Sequence, residues 1–153
     1  MPIDDIDKSI LRDLQRDGRT SNVKLAEAVG LSEAACLRRV RALEASGLIT
    51  GYTALVNPAR LGLPGNVFVE ITLHQEQQQD LEAFERAVRG VPEVMECYLM
   101  TGQYDYLLRV VVKDLEDFER IHRESITRLP GVSRVQTSFA LRTVTKRTSF
   151  PVR

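Results

Sequence analysis

The chain has 153 residues, with 21 Lys or Arg and 21 Asp or Glu, so its formal net charge at pH 7 is zero. This length allows one domain or two small ones. The neutral balance argues against wholesale coating of nucleic acid, although it permits a local basic patch. Because no apolar run approaches 18 residues, we expect no membrane span. Cys36 and Cys97 belong to no CxxC pair, and two free thiols favour a cytoplasmic protein.

The N-terminal residues predict two helices. The first covers residues 4–16, where apolar side chains recur at helical spacing. Acidic residues precede it and Arg16 lies at its C-terminal end, which matches the charge preference of a helix dipole. Asp17 and Gly18 end this helix. The second helix covers residues 22–29, with Thr20 or Ser21 as its N-cap.

Residues 31–48 predict a third helix with two distinct faces. Ser32 can cap its start, and Gly47 can form a left-handed turn at its end. Three side chains form an apolar stripe: Leu37, Val40 and Leu43. Three basic side chains lie off that stripe: Arg38, Arg39 and Arg41. Because only a short turn at Gly30 precedes this helix, the pair is typical of a helix-turn-helix.

The basic helix has two interpretations. Basic side chains on a surface helix often only face solvent, but the turn and the small side chains at the helix start favour DNA. The predicted DNA-binding residues are Ser21, Asn22, Ser32, Glu33, Ala34, Ala35, Arg38, Arg39 and Arg41. We expect the hydroxyl and amide groups and the helix N-termini to contact phosphates. The arginines would add phosphate contacts, with one possible at a guanine edge, and the alanines would lie near base edges or thymine methyl groups.

A linker is predicted over residues 51–65. Alternation over residues 49–57 favours a strand, and Pro58 with the sequence LGLPG at 61–65 is typical of a hinge. We therefore divide the chain into a helix-turn-helix domain at 1–50, this strand-and-hinge linker, and a second domain at 66–153.

The second domain is predicted to consist of four strands and two helices. The strands cover residues 67–73, 94–100, 106–112 and 135–144, and apolar stripes predict helices near 81–88 and 115–129. A faint repeat supports this order, because the sequence Phe-Glu-Arg at 84–86 recurs at 118–120. The result is an α+β chain whose second domain is ferredoxin-like, βαββαβ, with both helices on one face of an antiparallel sheet. A second copy of the chain would cover the other face.

Little in the sequence indicates catalysis, so we expect no enzyme activity, no metal and no cofactor. Neither His74 nor His122 has a second metal ligand at suitable spacing. The sequence contains no Walker loop and no GxSxG, HExxH or GxGxxG motif.

One loop, at residues 100–106, stays open to two interpretations: an ordinary hairpin turn or a site for a small polar ligand. Gly102 allows close backbone approach. Backbone N–H groups there could bind a carboxylate and Asp105 an ammonium, a pairing that an amino acid would fit. Thr137 and Ser138 could add hydroxyl groups from a neighbouring subunit, although packing within the sheet explains them equally well.

Long stretches of the chain resemble one family, the Lrp/AsnC or feast/famine transcription regulators, nearest to the leucine-responsive branch. The resemblance covers essentially all 153 residues, and it rests on residues 4–58 and on the segments VFVEITL, ECYLMTGQYDYLLRV and RLPGV of the second domain. It implies a winged-helix-like helix-turn-helix domain that binds double-stranded DNA as a dimer, and a ferredoxin-like domain that senses an amino acid, with leucine or another apolar one favoured.

The resemblance also implies an assembly and an effector site. Dimers would pair through the sheets and through residues 51–57, and would assemble further, commonly to octamers. The effector would lie between dimers, with these candidate residues: Met100, Thr101, Gly102, Gln103, Tyr104, Asp105, Thr137 and Ser138. Asp105 matches the family's aspartate after the glycine turn. A cytoplasmic, nucleoid-associated protein with a roughly palindromic operator is expected.

The chain departs from the family pattern at two places. The family often has proline in the turn into the third helix, where this chain has Glu33, Ala34 and Ala35. Residues 142–153 are rich in basic and hydroxyl side chains rather than acidic ones. Alternatives to an amino-acid-responsive regulator are an architectural DNA-binding protein without an effector, a regulatory subunit without DNA binding, and a small enzyme.

Overall fold

The computed structural model describes residues 2–153 and divides them into two compact units. The first unit contains the residues up to Leu55 together with Val144–Arg153, and the second contains Val56–Thr143. Three helices form the first unit: α1 (Asp5–Arg16), α2 (Asn22–Val29) and α3 (Glu33–Ala45). The helix-turn-helix order predicted from the sequence is therefore confirmed.

Local capping explains where these helices begin and end. Asp4 and Asp7 form a capping box at the start of α1. Ser21 and Ser32 cap α2 and α3 as predicted. Gly30, with φ of 69°, adopts the left-handed conformation that ends α2 and turns the chain into α3.

The core of the first unit shows one error in the predicted apolar stripe. Cys36 is fully buried, as are Leu25 and Leu43, whereas Leu37 is 37% exposed. The buried face of α3 therefore runs through Cys36, Val40 and Leu43. Spacing alone could not separate these faces, because Cys36 and Leu37 are adjacent apolar residues.

Residues 49–57 do not form the predicted strand. A strand needs a hydrogen-bonded neighbour, and in the described residues this segment has none. Instead, the Tyr52 hydroxyl donates to Glu44 Oε1 over 2.9 Å, and burial raises the pKa of Tyr52 to about 12. Leu55 is 74% exposed, so the apolar side of the segment remains uncovered in one chain.

The second unit is the predicted ferredoxin-like βαββαβ arrangement. Its strands are β1 (Gly65–Leu73), β2 (Val94–Leu99), β3 (Tyr106–Val112) and β4 (Val132–Phe139). They form one antiparallel sheet in the order β2-β3-β1-β4. Its helices are α4 (Gln78–Val88) and α5 (Leu115–Glu124), and a 3₁₀ turn (Ile126–Arg128) follows α5.

The last strand differs from the prediction of 135–144, because it begins at Val132 and ends at Phe139. Gly131, with φ of 75°, turns the chain directly into the sheet after the 3₁₀ turn. The basic segment that follows Phe139 is therefore not part of the sheet.

The two faces of the sheet differ in burial. Alternate residues of β1 and β3 are buried in the core of the unit, where Phe84 of α4 stacks on Tyr106 at 4.4 Å. The opposite face carries half-buried side chains such as Phe68 and an ion pair of 2.6 Å between Arg109 and Glu96. A mixed polar and apolar face of this kind suits an interface between subunits.

The C-terminal tail, Val144–Arg153, clusters with the first compact unit, whereas the predicted second domain extends to residue 153. The Gln15 amide both accepts from the Phe150 N–H (2.6 Å) and donates to the Phe150 carbonyl (3.1 Å). These bonds fasten the tail to α1. Within residues 2–153 the structure contains no helix with the length and apolarity that a membrane crossing requires.

Candidate DNA interface and effector loop

The starts of α2 and α3 carry hydroxyl groups that are already oriented. Ser21 Oγ accepts from the Lys24 N–H (3.3 Å), and Ser32 Oγ accepts from the Ala35 N–H (3.2 Å). Each hydroxyl keeps its own proton, which can be donated to a phosphate oxygen. Both helix N-termini are therefore suited to anions.

Asn22 has a structural role in addition to any contact with DNA. Its Nδ2 donates to the Glu33 carbonyl over 2.8 Å, which ties the start of α2 to the start of α3. The angle of the turn is thereby fixed. Whether Asn22 also reaches a phosphate stays a prediction.

The structure separates the three arginines of α3. Arg39 Nη1 lies 2.7 Å from Asp4 Oδ2 and 2.9 Å from Asp7 Oδ1. The pKa of Asp4 is held below its usual value mainly by the hydrogen bond from the Asp7 N–H, and secondly by the hydrogen bond from the Arg39 side chain. In the residues the structure describes, Arg38 and Arg41 are exposed and have no ion pair. Arg39 thus joins α3 to α1, and Arg38 and Arg41 remain available to an external anion.

One exposed face of α3 has the chemistry of a groove-reading surface. Ala34, Leu37, Arg38 and Arg41 follow helical spacing and are all exposed. Leu37 is the member that the sequence prediction assigned to the core. Its position three residues after Ala34 is the signal that could have placed it beside the predicted DNA contacts.

The loop at residues 100–105, called here the Gly102 loop, is fastened to the end of β1. The Asp105 N–H donates to the Ile71 carbonyl (2.8 Å), and Asp105 Oδ2 accepts from the Leu73 N–H (2.7 Å). The Met100 N–H donates to the Asp105 carbonyl (2.8 Å). Gly102, with φ of 114°, lies at the exposed tip. Asp105 therefore holds the loop to the sheet.

A second carboxyl group, Glu76, lies beside Asp105. A side-chain hydrogen bond with Asp105 and the charge of Asp105 raise the pKa of Glu76 above its usual value of 4.5. The sequence analysis missed Glu76, because it lies 29 positions before Asp105 in the chain. Two adjacent carboxyl groups at an exposed loop attract a cation.

Thr137 and Ser138 do not lie together with the Gly102 loop in one chain. Thr137 pairs with Val69 and lies on the helix-covered face, whereas Ser138 pairs with Phe68 on the opposite face. The loop contacts β1 at Ile71 and Leu73. At about 3.3 Å per residue, Val69 lies about 13 Å from Leu73 along the strand. A site that combines these groups would need more than one chain.

Known protein families match both domains of the chain. The model of the AsnC-type helix-turn-helix domain matches residues 3–44, and the model of the Lrp/AsnC ligand binding domain matches residues 66–150. The leucine-responsive regulatory protein of Escherichia coli (strain K12) is 47% identical over 135 residues, which are 88% of this chain and 82% of that protein.

Solved structures show the same similarity over nearly the whole chain. A transcriptional regulator from Neisseria meningitidis, solved as an L-Met complex, has a TM-score of 0.93 and 35% identity, covering 98% of this chain and 97% of that one. An AsnC family transcriptional regulator from Agrobacterium tumefaciens also has a TM-score of 0.93 and 35% identity, with 97% of both chains covered. Escherichia coli AsnC has a TM-score of 0.89 and 26% identity, with 96% of this chain and 97% of that chain covered.

Proposed function

This chain belongs to the Lrp/AsnC family of DNA-binding transcription regulators, and we propose that an amino acid bound at the Gly102 loop controls how it binds its operator. The observation that carries this proposal is the exposed loop that the Asp105 carboxyl group fastens to the Leu73 N–H (2.7 Å), together with a second carboxyl group, Glu76, whose pKa Asp105 raises. The repulsion between the two carboxyl groups is relieved when an ammonium group lies between them.

The rest of the loop fits the other parts of an amino acid. Among the described residues, the backbone N–H groups of Thr101, Gly102 and Gln103 donate to no protein group, so they are open to a carboxylate. Leu99 and Met100 are exposed next to them and offer apolar contact. An apolar amino acid, with leucine or methionine favoured, matches this set. The L-Met complex of the Neisseria meningitidis regulator supports this choice.

We propose that a second subunit completes the site. Thr137 or Ser138 of another chain would reach the ligand, and since the two side chains lie on opposite faces of β4, only one of them would do so. The exposed apolar side chains Tyr52, Leu55 and Val56 support pairing of residues 51–57 with the same residues of a second copy. Dimers formed in this way would assemble further to an octamer.

On DNA, each dimer would present two copies of α3 to successive major grooves, about 34 Å apart, on a roughly palindromic operator. Arg38 and Arg41 would bind phosphates, and one of them could reach a guanine edge. Ala34 and Ala35 would approach bases closely. Effector binding between dimers would change the assembly, with a coupling free energy of about 1–3 kcal/mol. The protein would act in the cytoplasm, on the nucleoid.

The test compares two variants of one residue. Asp105→Asn keeps a side-chain oxygen to accept from Leu73 and removes the charge, whereas Asp105→Ala also leaves the Leu73 N–H without this partner, at a cost of about 1–3 kcal/mol. Thermal melting against the twenty amino acids, with light scattering, reports binding and assembly. For the wild-type chain, a hundredfold excess over Kd should add about 2.7 kcal/mol of stability.

We expect Asp105→Asn to bind DNA normally and to lose the response to the amino acid. A variant that keeps the full response would remove Asp105 from the effector site. If no amino acid stabilises even the wild-type chain at millimolar concentration, the chain is an architectural DNA-binding protein without an effector.

A further inference from the structure

Charge is distributed unevenly toward the end of the chain. No Asp or Glu follows Glu124, whereas basic residues continue to the C-terminus: Arg128, Arg134, Arg142, Lys146, Arg147 and Arg153. The last three lie in the C-terminal tail, and all three are exposed. A chain with zero net charge therefore ends in a strongly basic segment.

The tail is fixed to the DNA-binding unit by contacts that leave its basic side chains free. The Gln15 amide forms two hydrogen bonds with the backbone of Phe150, and Arg12 donates to the Val152 carbonyl (3.2 Å). Val152 packs against the apolar core of the unit. Since the anchors are backbone groups and one apolar side chain, the charges of Lys146, Arg147 and Arg153 stay exposed to solvent.

The anchored tail lies close to the turn that precedes α2. Thr148 and Arg153 line the same groove as Arg16 and Arg19, a groove of about 1010 Å³ within the first unit. Arg19 comes two residues before Ser21, the N-cap of α2, where an anion would be bound. The tail thus extends the cationic surface of this unit beyond α3.

We propose that the C-terminal tail is a second DNA-binding element, in which Lys146, Arg147 and Arg153 bind the phosphate backbone beside the half-site that α3 reads. Contacts of this kind carry no sequence information and add affinity by releasing counterions. The proposal rests on DNA binding by the first unit and adds a surface outside the helix-turn-helix. Hydroxyl groups of Thr148 and Ser149 would donate to the same phosphates.

The test neutralises two tail charges with Lys146→Gln and Arg147→Gln in the whole 153-residue chain. Binding to an operator fragment and to a scrambled fragment is measured across a salt series. We expect the magnitude of the slope of log K against log salt to fall by about 1.8, at about 0.9 per phosphate contact. Both fragments should lose affinity by the same factor, since the lost contacts are to the backbone.

A matched control removes the same charge from the second unit. Arg60 and Arg128 are exposed there, and Arg60→Gln with Arg128→Gln should leave the slope unchanged. An unchanged slope in the tail variant overturns the proposal, and so does an equal fall in the control, which would mean a general effect of net charge. A wild-type chain without any salt-dependent DNA binding would instead contradict the function of the whole unit.

A third variant tests the anchor. Gln15→Leu removes both hydrogen bonds to Phe150 without changing charge. If the tail acts as a fixed surface, this variant loses affinity for both fragments while its circular dichroism spectrum stays that of the wild-type chain. Unchanged affinity would overturn the role of the anchored tail. If affinity falls for the operator fragment but not for the scrambled fragment, the substitution acts through α3 and not through the tail.

Discussion

The two units hold their candidate functional groups in different ways. In the first unit, Ser21, Ser32 and Gly30 set the starts of the helices and the turn between them through bonds that span only a few residues. In the second unit, the Gly102 loop depends on Asp105, which accepts from Leu73, 32 residues away in the chain. The candidate DNA surface is therefore positioned by local contacts, and the Gly102 loop is positioned by the sheet.

This difference has a functional consequence. The exposed face of α3 is complete in one chain, whereas the groups expected around the effector, at the Gly102 loop and at Thr137 and Ser138, lie apart along the sheet. DNA binding thus needs a correctly folded first unit. Under the proposed function, effector binding would need the assembly as well, so a change in assembly would transmit the signal to the DNA.

The largest expected effect comes from a substitution in the hydrophobic core of only one unit. Leu43 is fully buried in the first unit, so Leu43→Ala should lower the stability of that unit by about 2–5 kcal/mol. We expect DNA binding to be lost in a gel shift, while isothermal titration still detects the amino acid. Scanning calorimetry should show that only the transition of the first unit moves.

The matched control for this variant is Leu108→Ala, because Leu108 is fully buried in the core of the second unit. Leu108→Ala should lower the stability of the second unit by a similar amount and abolish effector binding. If both variants shift one common unfolding transition, the two units unfold together and their stabilities are not independent.

Features built from neighbouring residues could be predicted from the sequence. The predicted bounds of α2 and of β3 agree with those of the structure. Non-local features could not be predicted, because no local pattern encodes the pairing of Arg39 with Asp4, the contact of Glu76 with Asp105, or the packing of the tail on Gln15. Residues 49–57 were mistaken for a strand because alternation shows the tendency of a segment to pair but not whether a partner is present in the same chain.

Adjacent arginines provide the next test. Arg38→Ala removes an exposed charge and should reduce the salt slope of DNA binding by about one unit without changing the melting temperature. Arg39→Ala breaks the ion pairs with Asp4 and Asp7, and since Asp7 is buried, the melting temperature should fall. Salt titration of DNA binding and thermal melting of both variants measure these two effects. Exchanged results would show that Arg39, not Arg38, faces the DNA.

The smallest effect concerns Glu76, whose pKa is raised above 4.5 by its hydrogen bond with Asp105 and by the charge of that residue. A raised pKa means that the folded chain holds the proton more tightly than the unfolded chain. The stabilisation is therefore complete below pH 4.5 and is lost as the pH rises through the folded-state value. At pH 7 the two carboxylates repel each other, so Glu76→Gln should melt at a slightly higher temperature than the wild-type chain.

Addition of the amino acid should reverse that advantage, because its ammonium group turns the repulsion between Glu76 and Asp105 into attraction. Glu76→Gln should then bind the effector about two- to fivefold more weakly, on the scale of an exposed ion pair. Melting curves from pH 4 to pH 8, with and without the amino acid, measure both effects. A difference in melting temperature that is the same at every pH would mean that the charge of Glu76 does not act on Asp105. The Gly102 loop would then have one acidic group for an ammonium instead of two.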